Sequence, residues 1–366
     1  MSPGSLLAVA VALVVSLLLA QALVLSAHKH GHLTMDLPTG IQKFHFDPTP
    51  RVGGIAIYIG VVAGWLLLPG ESARTVLATV LLAGMPALAI GLLEDVTKRV
   101  TVRTRLLVTM ASGAAAALIT GVGLTRVDIP AVDMFLSLWP LAVLFTAFAV
   151  GGVANAVNII DGFHGLASGT VIISSLALAA IAHAVGDKSS AITAVVLAAA
   201  VAGFWLVNFP RASCSRATAE LISRASRWRG FRSNCSPATP VSPRASVLLC
   251  GYPTLEVAYS VMRRRKVRQS PGMADRHHLH SLVATQLVQP RLPLLQPNLR
   301  NAAVSVVMWT CAFVPVVPAV LFFSQPELLL PAMAGCVLAY HLLYRWVASS
   351  ASAPVLAGGA NADART

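Results

Sequence analysis

The densest polar motif in the chain, NAVNIIDGFHGLASG, begins at Asn155 and lies between two hydrophobic runs. Its Asn155, Asn158 and Asp161 are spaced three apart, so a helix places them on one face. Gly162 and Gly165 then open the backbone before the next run. Two amides and a carboxylate beside such runs are costly unless they bind something polar, and a helix cap accounts for only one of them. The motif therefore predicts a polar binding site.

A second motif, GLLEDVTK, places Glu94 and Asp95 side by side at the end of another hydrophobic run. Adjacent carboxylates repel each other, and this repulsion raises a pKa or recruits a divalent cation. The pair could therefore supply a general base or a metal ligand. For this pair taken alone, a solvated helix end remains the alternative.

Two further motifs carry basic and imidazole side chains. The first, DLPTGIQKFHFDPTPRVGG, contains Lys43, Arg51 and a glycine pair that begins at Gly53. Cations with flexible glycines at a helix entrance suit a phosphate, although a patch for anionic lipid headgroups explains the charge as well. The second, DRHHLH, runs from Asp275 to His280 and could bind a metal or a phosphate, or be a chance cluster.

These motifs interrupt a chain that is 56% hydrophobic and 11% charged, with a mean hydropathy of +0.73, which is the composition of a membrane protein. Apolar runs long enough to cross a bilayer are predicted at residues 6–27, 53–69, 76–93, 106–122, 133–150, 166–185, 189–207, 246–262, 302–323 and 327–347. The predicted fold class is all-α, a polytopic membrane protein of about ten readable transmembrane helices, in a single domain over residues 1–366. The first run is interpreted as an uncleaved anchor, because MSPGS lacks the basic residues of a signal peptide.

The net charge of +13 is distributed among the loops. Alternate loops carry nearly all the Lys and Arg and all the polar motifs, so the positive-inside tendency places those loops in the cytoplasm and the N-terminus outside. This distribution explains the charge without nucleic acid as a partner. The five cysteines have no paired spacing, so they predict neither a disulfide framework nor a zinc site.

The same alternation indicates that one span is missing. The seventh run ends near Asn208, and only one further run, 246–262, precedes DRHHLH, so ten spans would place that motif outside. Residues 210–245 lie in between, are rich in Arg, Ser and Pro, and have no apolar period. The missing span therefore coincides with this stretch.

Taken together, the motifs resemble the polyprenyl-phosphate N-acetylhexosamine-1-phosphate transferases. The resemblance covers nearly the whole chain and rests on PTPRVGG, GLLEDVTK, NAVNIIDGFHGLASG, GFWLVNFPR and SPGMADRHHLH. It implies an eleven-helix protein of the bacterial inner membrane that uses Mg²⁺. At its cytoplasmic face it would transfer N-acetylhexosamine 1-phosphate from UDP-N-acetylhexosamine to undecaprenyl phosphate, release UMP and begin a cell-envelope glycan such as O-antigen. Membrane lipids and a second copy of the chain, as a homodimer, are further expected partners.

The resemblance also assigns roles to residues. It implies catalytic roles for Glu94, Asp95 and Asp161, with Asp161 also a metal ligand. It implies substrate binding by Lys43, Arg51, Asn155, Asn158, His164, His278 and His280. The chain departs from the family's pattern at Glu94 and His164, where the family usually has Asp and a second acid, and at Ser281, which replaces a third His.

One family motif, Gly-Asp-Gly-Gly, is absent from the sequence. Residues 212–247 are therefore interpreted as an out-of-frame segment: a shifted frame over Ser213–Leu221 can read LFAGDGGAY, with the lost Asp, a Mg²⁺ ligand in the family, near Ala217. The six arginines from Arg216 to Arg244 would then be products of the shift. We expect this copy to be impaired and its DRHHLH loop to be misplaced. A genuinely divergent loop and an Arg-rich nucleic-acid segment are the alternatives, and the second is disfavoured because few aromatic residues are interleaved.

Two other functions are kept as alternatives: a transporter or flippase without enzymatic activity, and an inactive degenerate copy. A transporter would carry polar or charged residues in the middle of its spans. The predicted spans are nearly free of them, and the polar residues lie at span ends. This distribution favours chemistry at the membrane surface.

Overall fold

The computed structural model describes residues 1–28, 35–36, 49–50, 53–97, 99–210, 241–268, 275 and 277–350. Its helices are α1 (Pro3–Leu25), α2 (Gly53–Leu67), α3 (Glu71–Thr97), α4 (Val102–Thr120), α5 (Pro130–Leu136), α6 (Trp139–Ile160), α7 (Leu166–Ala184), α8 (Lys188–Asn208), α9 (Pro243–Leu249), α10 (Gly251–Lys266), α11 (Leu279–Leu282), α12 (Gln289–Arg291), α13 (Pro297–Leu321) and α14 (Pro326–Ser349). A π-helical turn, Val283–Val288, joins α11 to α12. The strands β1 (Met35–Asp36) and β2 (Thr49–Pro50) form a short antiparallel pair.

Each of the ten predicted spans corresponds to helix in the structure. Within the described ranges, eight helices are long and apolar enough to cross a membrane, and α9 with α10 forms one further, bent span. The tenth is α2, an apolar helix of 15 residues. The prediction of an all-α, multi-pass membrane protein is confirmed. The predicted eleventh helix falls on residues 211–240, outside the described residues.

The first helix is part of the bundle, because it packs closely on α2 and α8. The buried residues of α1 are small and recur at every fourth position, at Ala8, Ala12, Ser16 and Ala20. A side chain at Gly60 of α2 would stand 2.8 Å from the carbonyl oxygen of Ala12. Small residues let helix backbones approach each other in a membrane, where apolar side chains gain little from leaving lipid.

The bundle has two ends, and the chain direction assigns each loop to one of them. Glu94 at the end of α3 and Asn155 near the end of α6 both bond Arg105 at the start of α4, so these helix termini meet at what we call the site end. Helix α4 then leads away over 19 residues, or about 28 Å at the usual rise. Asp128, which follows it, therefore lies at the far end.

The chain enters α9 at the far end. Ser242 donates its hydroxyl proton to Asp128 and its backbone N–H to the carbonyl of Phe323, at 2.7 Å. Arg244 donates to the carbonyls of Asp128 and Pro326, each at 2.7 Å. Ser242 thus caps a regular helix, and Arg244 ties three segments together.

By contrast, the chain leaves α8 at the site end, where the carbonyl oxygen of Pro210 lies 3.0 Å from Nδ1 of His164. Pro210 and Ser242 are therefore at opposite ends of the bundle. This arrangement agrees with the loop alternation in the sequence, which requires one crossing between them.

The predicted single span 246–262 is broken into α9 and α10, whose axes differ by 80°. Pro253 lacks the backbone N–H that would bond the carbonyl of Leu249 four residues earlier, so the helix cannot continue straight. The hydroxyl of Ser174 on α7 donates to that carbonyl instead, at 2.7 Å. The carbonyl left open at the break thus has a hydrogen-bond donor, and beyond the break α10 packs across α6.

The fifth predicted span, 133–150, ends ten residues too early. Helix α6 continues to Ile160 and carries Asn155 and Asn158 in its last turns. A hydropathy window stops at such polar residues. The helix continues because their amides are bonded to Arg105 at the end of the bundle.

Candidate active site

Arg105 is the central cation of the acidic and amide motifs. Its Nη1 donates to both carboxylate oxygens of Glu94, at 3.1 and 3.0 Å, and its Nη2 donates to Oδ1 of Asn155 at 3.3 Å. With its amide turned to satisfy its hydrogen bonds, Asn158 accepts from both guanidinium nitrogens at 2.9 Å. The motifs at the ends of α3 and α6 are therefore brought together as predicted, and Arg105 connects them.

Asp161 ends α6, and its backbone N–H donates to the carbonyl of Asn158 at 3.4 Å. The turn that follows leads into α7 through Gly165, whose φ of 75° is left-handed. A side chain at Gly165 would also lie 3.0 Å from the rings of Trp205 and Phe209. The expected opening of the backbone before α7 is confirmed at this glycine. Trp205 and Phe209, stacked 5.0 Å apart, support the turn from α8.

The histidine motif lies against the same turn. The ring of His280 makes an edge contact with Phe163, with centroids 5.6 Å apart, and its Nε2 would be 3.6 Å from a side chain at Gly162. The expectation that this loop is misplaced is therefore wrong. The buried packing of α10 and α11 against the bundle holds the loop at the site end.

Two histidines of the motif are buried, and one is exposed. The rings of His278 and His280 are stacked 5.2 Å apart, whereas the side chain of His277 is 66% exposed. Burial lowers the pKa of His280 to about 4, so this imidazole is neutral at neutral pH. The hydroxyl of Tyr252 lies 3.4 Å from its Nδ1. Either the Tyr252 hydroxyl or Nδ1–H can donate in this pair, depending on the tautomer, and Nε2 is the ring nitrogen nearest Gly162.

Asp275 anchors the start of the histidine motif. It accepts from Ser260 at 2.9 Å, from Arg264 at 3.3 Å and from Arg263. Burial alone would raise the pKa of Asp275, but the backbone N–H of His277, the Ser260 hydroxyl and nearby positive charge outweigh it and hold that pKa well below its usual range. Asp275 was a candidate metal or phosphate ligand, and the structure instead commits it to α10.

Several predicted positions stand apart from this arrangement. Lys43 and Arg51 lie outside the described residues. The glycine pair expected to bind phosphate is buried in α2, where Gly53 packs directly on the ring of Phe204, so its role is helix packing. His164 is buried, and its Nδ1 faces the carbonyl of Pro210. It therefore links the turn before α7 to the residues that follow α8.

The sequence interpretation missed two residues of the site, Arg105 and Glu256. Arg105 is one of several basic residues in its loop, and nothing in its spacing distinguishes it from Arg103. Glu256 had a readable signal, since it is the one acid in the predicted span 246–262. It is buried beside His278, whose Nδ1 lies 2.9 Å from its Oε1.

The donor set fits a magnesium ion that arrives with its substrate. Among the described residues, no group of three or more His, Cys, Asp or Glu side chains could hold a metal ion. Asp95 and Asp161 flank the Arg105 network, and Glu94 is bound by Arg105. Mg²⁺ typically takes one or two protein carboxylates and completes its shell with phosphate oxygens and water, so two carboxylates are enough.

Comparisons with known proteins agree with the motifs. The model of glycosyl transferase family 4 matches residues 77–214. The chain is 27% identical over 253 residues to a probable undecaprenyl-phosphate N-acetylglucosaminyl 1-phosphate transferase of Bacillus subtilis. The matched region is 67% of this chain and 68% of the relative.

Two further relatives have comparable coverage. The decaprenyl-phosphate N-acetylglucosaminephosphotransferase of Mycolicibacterium smegmatis is 30% identical over 279 residues, 65% of this chain and 66% of its own. The undecaprenyl-phosphate alpha-N-acetylglucosaminyl 1-phosphate transferase of Escherichia coli K12 is 25% identical over 252 residues, 66% and 67% of the two chains. The family match includes the acidic pair, Arg105 and the Asn155 motif, which the structure joins into one site, and over this region the chain is similar to glycosyl transferase family 4.

Proposed function

We propose that this protein is built to transfer N-acetylhexosamine 1-phosphate from a UDP-amino sugar to undecaprenyl phosphate, with release of UMP. The observation that carries the proposal is the meeting of three separate motifs at one end of a membrane bundle. Glu94, Asn155 and Asn158 are joined through Arg105, and His280 lies against the turn that follows Asp161. The names of the relatives support the lipid phosphate acceptor and the N-acetylglucosamine group.

The reaction is a displacement at phosphorus. An oxygen of the lipid phosphate attacks the phosphorus that carries the sugar, the pyrophosphate P–O bond breaks, and the bridging oxygen leaves with UMP. Such a transfer depends mainly on positioning and on stabilising charge. A polar site at the end of the bundle suits this chemistry, because a lipid phosphate and a water-soluble nucleotide meet at the membrane surface.

The described residues divide these tasks. Glu94 acts through Arg105 and positions the ends of α3 and α6, and we assign Asp95 and Asp161, beside this network, to the lipid phosphate and the metal. Mg²⁺, held by these two carboxylates, would supply neutralisation of the pyrophosphate charge. His280 is neutral, and its Nε2 lies beside Gly162, where it would contact the nucleotide phosphates.

We place the site at the cytoplasmic face of the bacterial inner membrane, where the product would begin a cell-envelope glycan such as O-antigen. The loops of the site end carry the basic residues that follow the positive-inside tendency, including Arg99, Arg103 and Arg265. The bent helix α10 ends at this face in the run Arg263–Lys266. Two copies of the chain would form a homodimer.

We further propose that residues 212–247, as an out-of-frame segment, impair this copy. They contain no Asp, and the match to the family model ends at residue 214, just inside the stretch. The coding DNA would then show an insertion and a deletion on either side of the stretch. If it shows neither, the frame proposal fails.

The experiment compares this chain with a frame-restored chain that carries the shifted reading, including Gly-Asp-Gly-Gly. Both are purified in detergent and incubated with UDP-N-acetylglucosamine, undecaprenyl phosphate and Mg²⁺, and UMP release is measured. We expect UMP only from the restored chain, and loss of it on chelation of Mg²⁺ or in Asp161→Asn. Robust turnover by the present chain would refute the impairment, and inactivity of both chains with every UDP-N-acetylhexosamine would refute the transferase.

A further inference from the structure

Glu256 is an acid inside the broken span, and its three hydrogen bonds come from two other parts of the chain. Oε1 accepts from Nδ1 of His278 at 2.9 Å and from the backbone N–H of Leu279 at 3.1 Å. Oε2 accepts from the hydroxyl of Tyr340 on α14 at 2.9 Å. The side chain of Glu256 is only 2% exposed. A buried carboxylate is tolerated only when its oxygens are satisfied in this way.

These contacts fix the start of the histidine helix. Leu279 is the first residue of α11, and its N–H has no carbonyl partner within the helix, so the Glu256 carboxylate satisfies it as a capping side chain would. The bond to His278 determines the orientation of the ring. It also requires a proton on Nδ1, because a carboxylate can only accept.

The orientation of His278 is transmitted to the site through His280. The two rings are stacked with an interplanar angle of 8°, and His280 then lies against Phe163 and Gly162 in the turn after Asp161. A rotation of His278 would displace its stacked neighbour. Glu256 itself lies behind the two rings, on α10.

We propose that Glu256 is a positioning residue, which orients His278 by hydrogen bonding and thereby holds His280 against the Asp161–Gly162 turn. The assignment of these histidines to the reacting phosphates rests on the proposed function, but the orientation itself does not. An apolar side chain of the same size would pack equally well at this position. The hydrogen bonds, and not the packing, are therefore what the test has to isolate.

Two variants separate packing from hydrogen bonding. Glu256→Met keeps the volume and removes the acceptors. Glu256→Gln keeps a carbonyl oxygen for His278 and Leu279 and turns its amide nitrogen to the Tyr340 oxygen. Tyr259→Phe is the matched control, because Tyr259 lies one turn further on α10 and its hydroxyl contacts His341, away from Glu256.

The measurement is nitrogen-15 NMR of ring-labelled histidine in the intact chain in lipid bilayers, with the His278 signal assigned by its loss in His278→Asn. We expect a protonated, hydrogen-bonded Nδ1 in the native chain, in Glu256→Gln and in Tyr259→Phe, and loss of that signature in Glu256→Met. Native signals in Glu256→Met would overturn the proposal. So would a Glu256→Gln variant that behaves like Glu256→Met.

UMP release by the same variants, built in the frame-restored chain, gives a second readout. We expect Glu256→Met to lower kcat about 10- to 100-fold, the range found when an orienting partner of a functional histidine is removed, and Glu256→Gln to recover most of it. A native kcat in Glu256→Met would contradict the role. If the restored chain releases no UMP at all, that result counts against the transferase proposal, and the NMR signature still decides the role of Glu256.

Discussion

Arg105 donates from a single guanidinium nitrogen to both carboxylate oxygens of Glu94, at 3.1 and 3.0 Å. This ion pair ties the last turn of α3 to the first turn of α4, and the rest of the guanidinium reaches the amides of α6. Three helix ends are thus held by one side chain, which is 12% exposed. The position of Asp161 depends on this bond network, because α6 ends at that residue.

Removing the cation should therefore weaken both stability and activity. We expect Arg105→Ala to lower the free energy of unfolding by about 1 to 3 kcal/mol, since it leaves a half-buried carboxylate without its partner. Arg105→Lys should recover little, because an ammonium group cannot contact Glu94 and both amides together. Thermal unfolding in detergent measures the effect, with the exposed Arg103→Ala as control. A native unfolding temperature in Arg105→Ala would contradict the network.

The turn before α7 should not tolerate a side chain. We expect Gly165→Ala to cost about 1 to 3 kcal/mol, because its φ of 75° is left-handed and the new methyl group would press on Trp205 and Phe209. Gly152→Ala is the matched control: it lies inside α6 with open space around it, and alanine favours helix there. The measurement is again thermal unfolding. Equal unfolding temperatures for the two variants would count against this conformation of the turn.

Arg244 should contribute to stability through its contacts at the far end of the bundle. Because Arg244 bonds two carbonyls at the far end, we expect Arg244→Ala to destabilise the protein by about 1 to 3 kcal/mol. Arg126→Ala removes an arginine from the same cluster that is 52% exposed, and it should cost about 1 kcal/mol or less. Unfolding temperatures of the two variants give the comparison. An Arg244→Ala variant as stable as Arg126→Ala would contradict these contacts.

His280 should make stability depend on pH. Its pKa is lowered by burial from 6.5 to about 4, so between these values the unfolded chain binds a proton that the folded chain excludes. The free energy of unfolding should therefore fall as the pH is lowered from about 6.5 to 4, and be unaffected by this group above that window. Unfolding measured across this range should show a shallower decline in His280→Asn. Parallel curves for the two proteins would show that His280 is not buried in its neutral form.

The number of spans and the location of the motifs could be predicted from the sequence, because both depend on local composition. Runs of apolar residues identify every described span, and polar residues at their ends identify the side chains that meet at the site. The predicted span 133–150 omits the last turns of α6 for a physical reason. Asn155 and Asn158 are unfavourable in a span unless a partner elsewhere in the chain satisfies them. Hydropathy contains no information about that partner.

The choice of partners could not be predicted from local pattern. Arg103 and Arg105 lie in the same helical turn, and only the packing of α4 between α3 and α6 decides which of them reaches Glu94. Likewise, the break at Cys250 depends on Pro253 and on the hydroxyl of Ser174, which is 76 positions away from that break in the sequence. A pattern of apolar residues continues unchanged across it.

The positions of Pro210 and Ser242 at opposite ends of the bundle set a length requirement on what joins them. A hydrocarbon layer of about 30 Å needs about 20 helical residues or about 9 extended ones. Residues 211–240 are more numerous than either requirement, so chain length does not prevent a crossing between the two ends. The obstacle is the cost of solvation: the stretch contains six arginines, and each one at the centre of a bilayer costs about 2.5 to 3.5 kcal/mol on insertion scales.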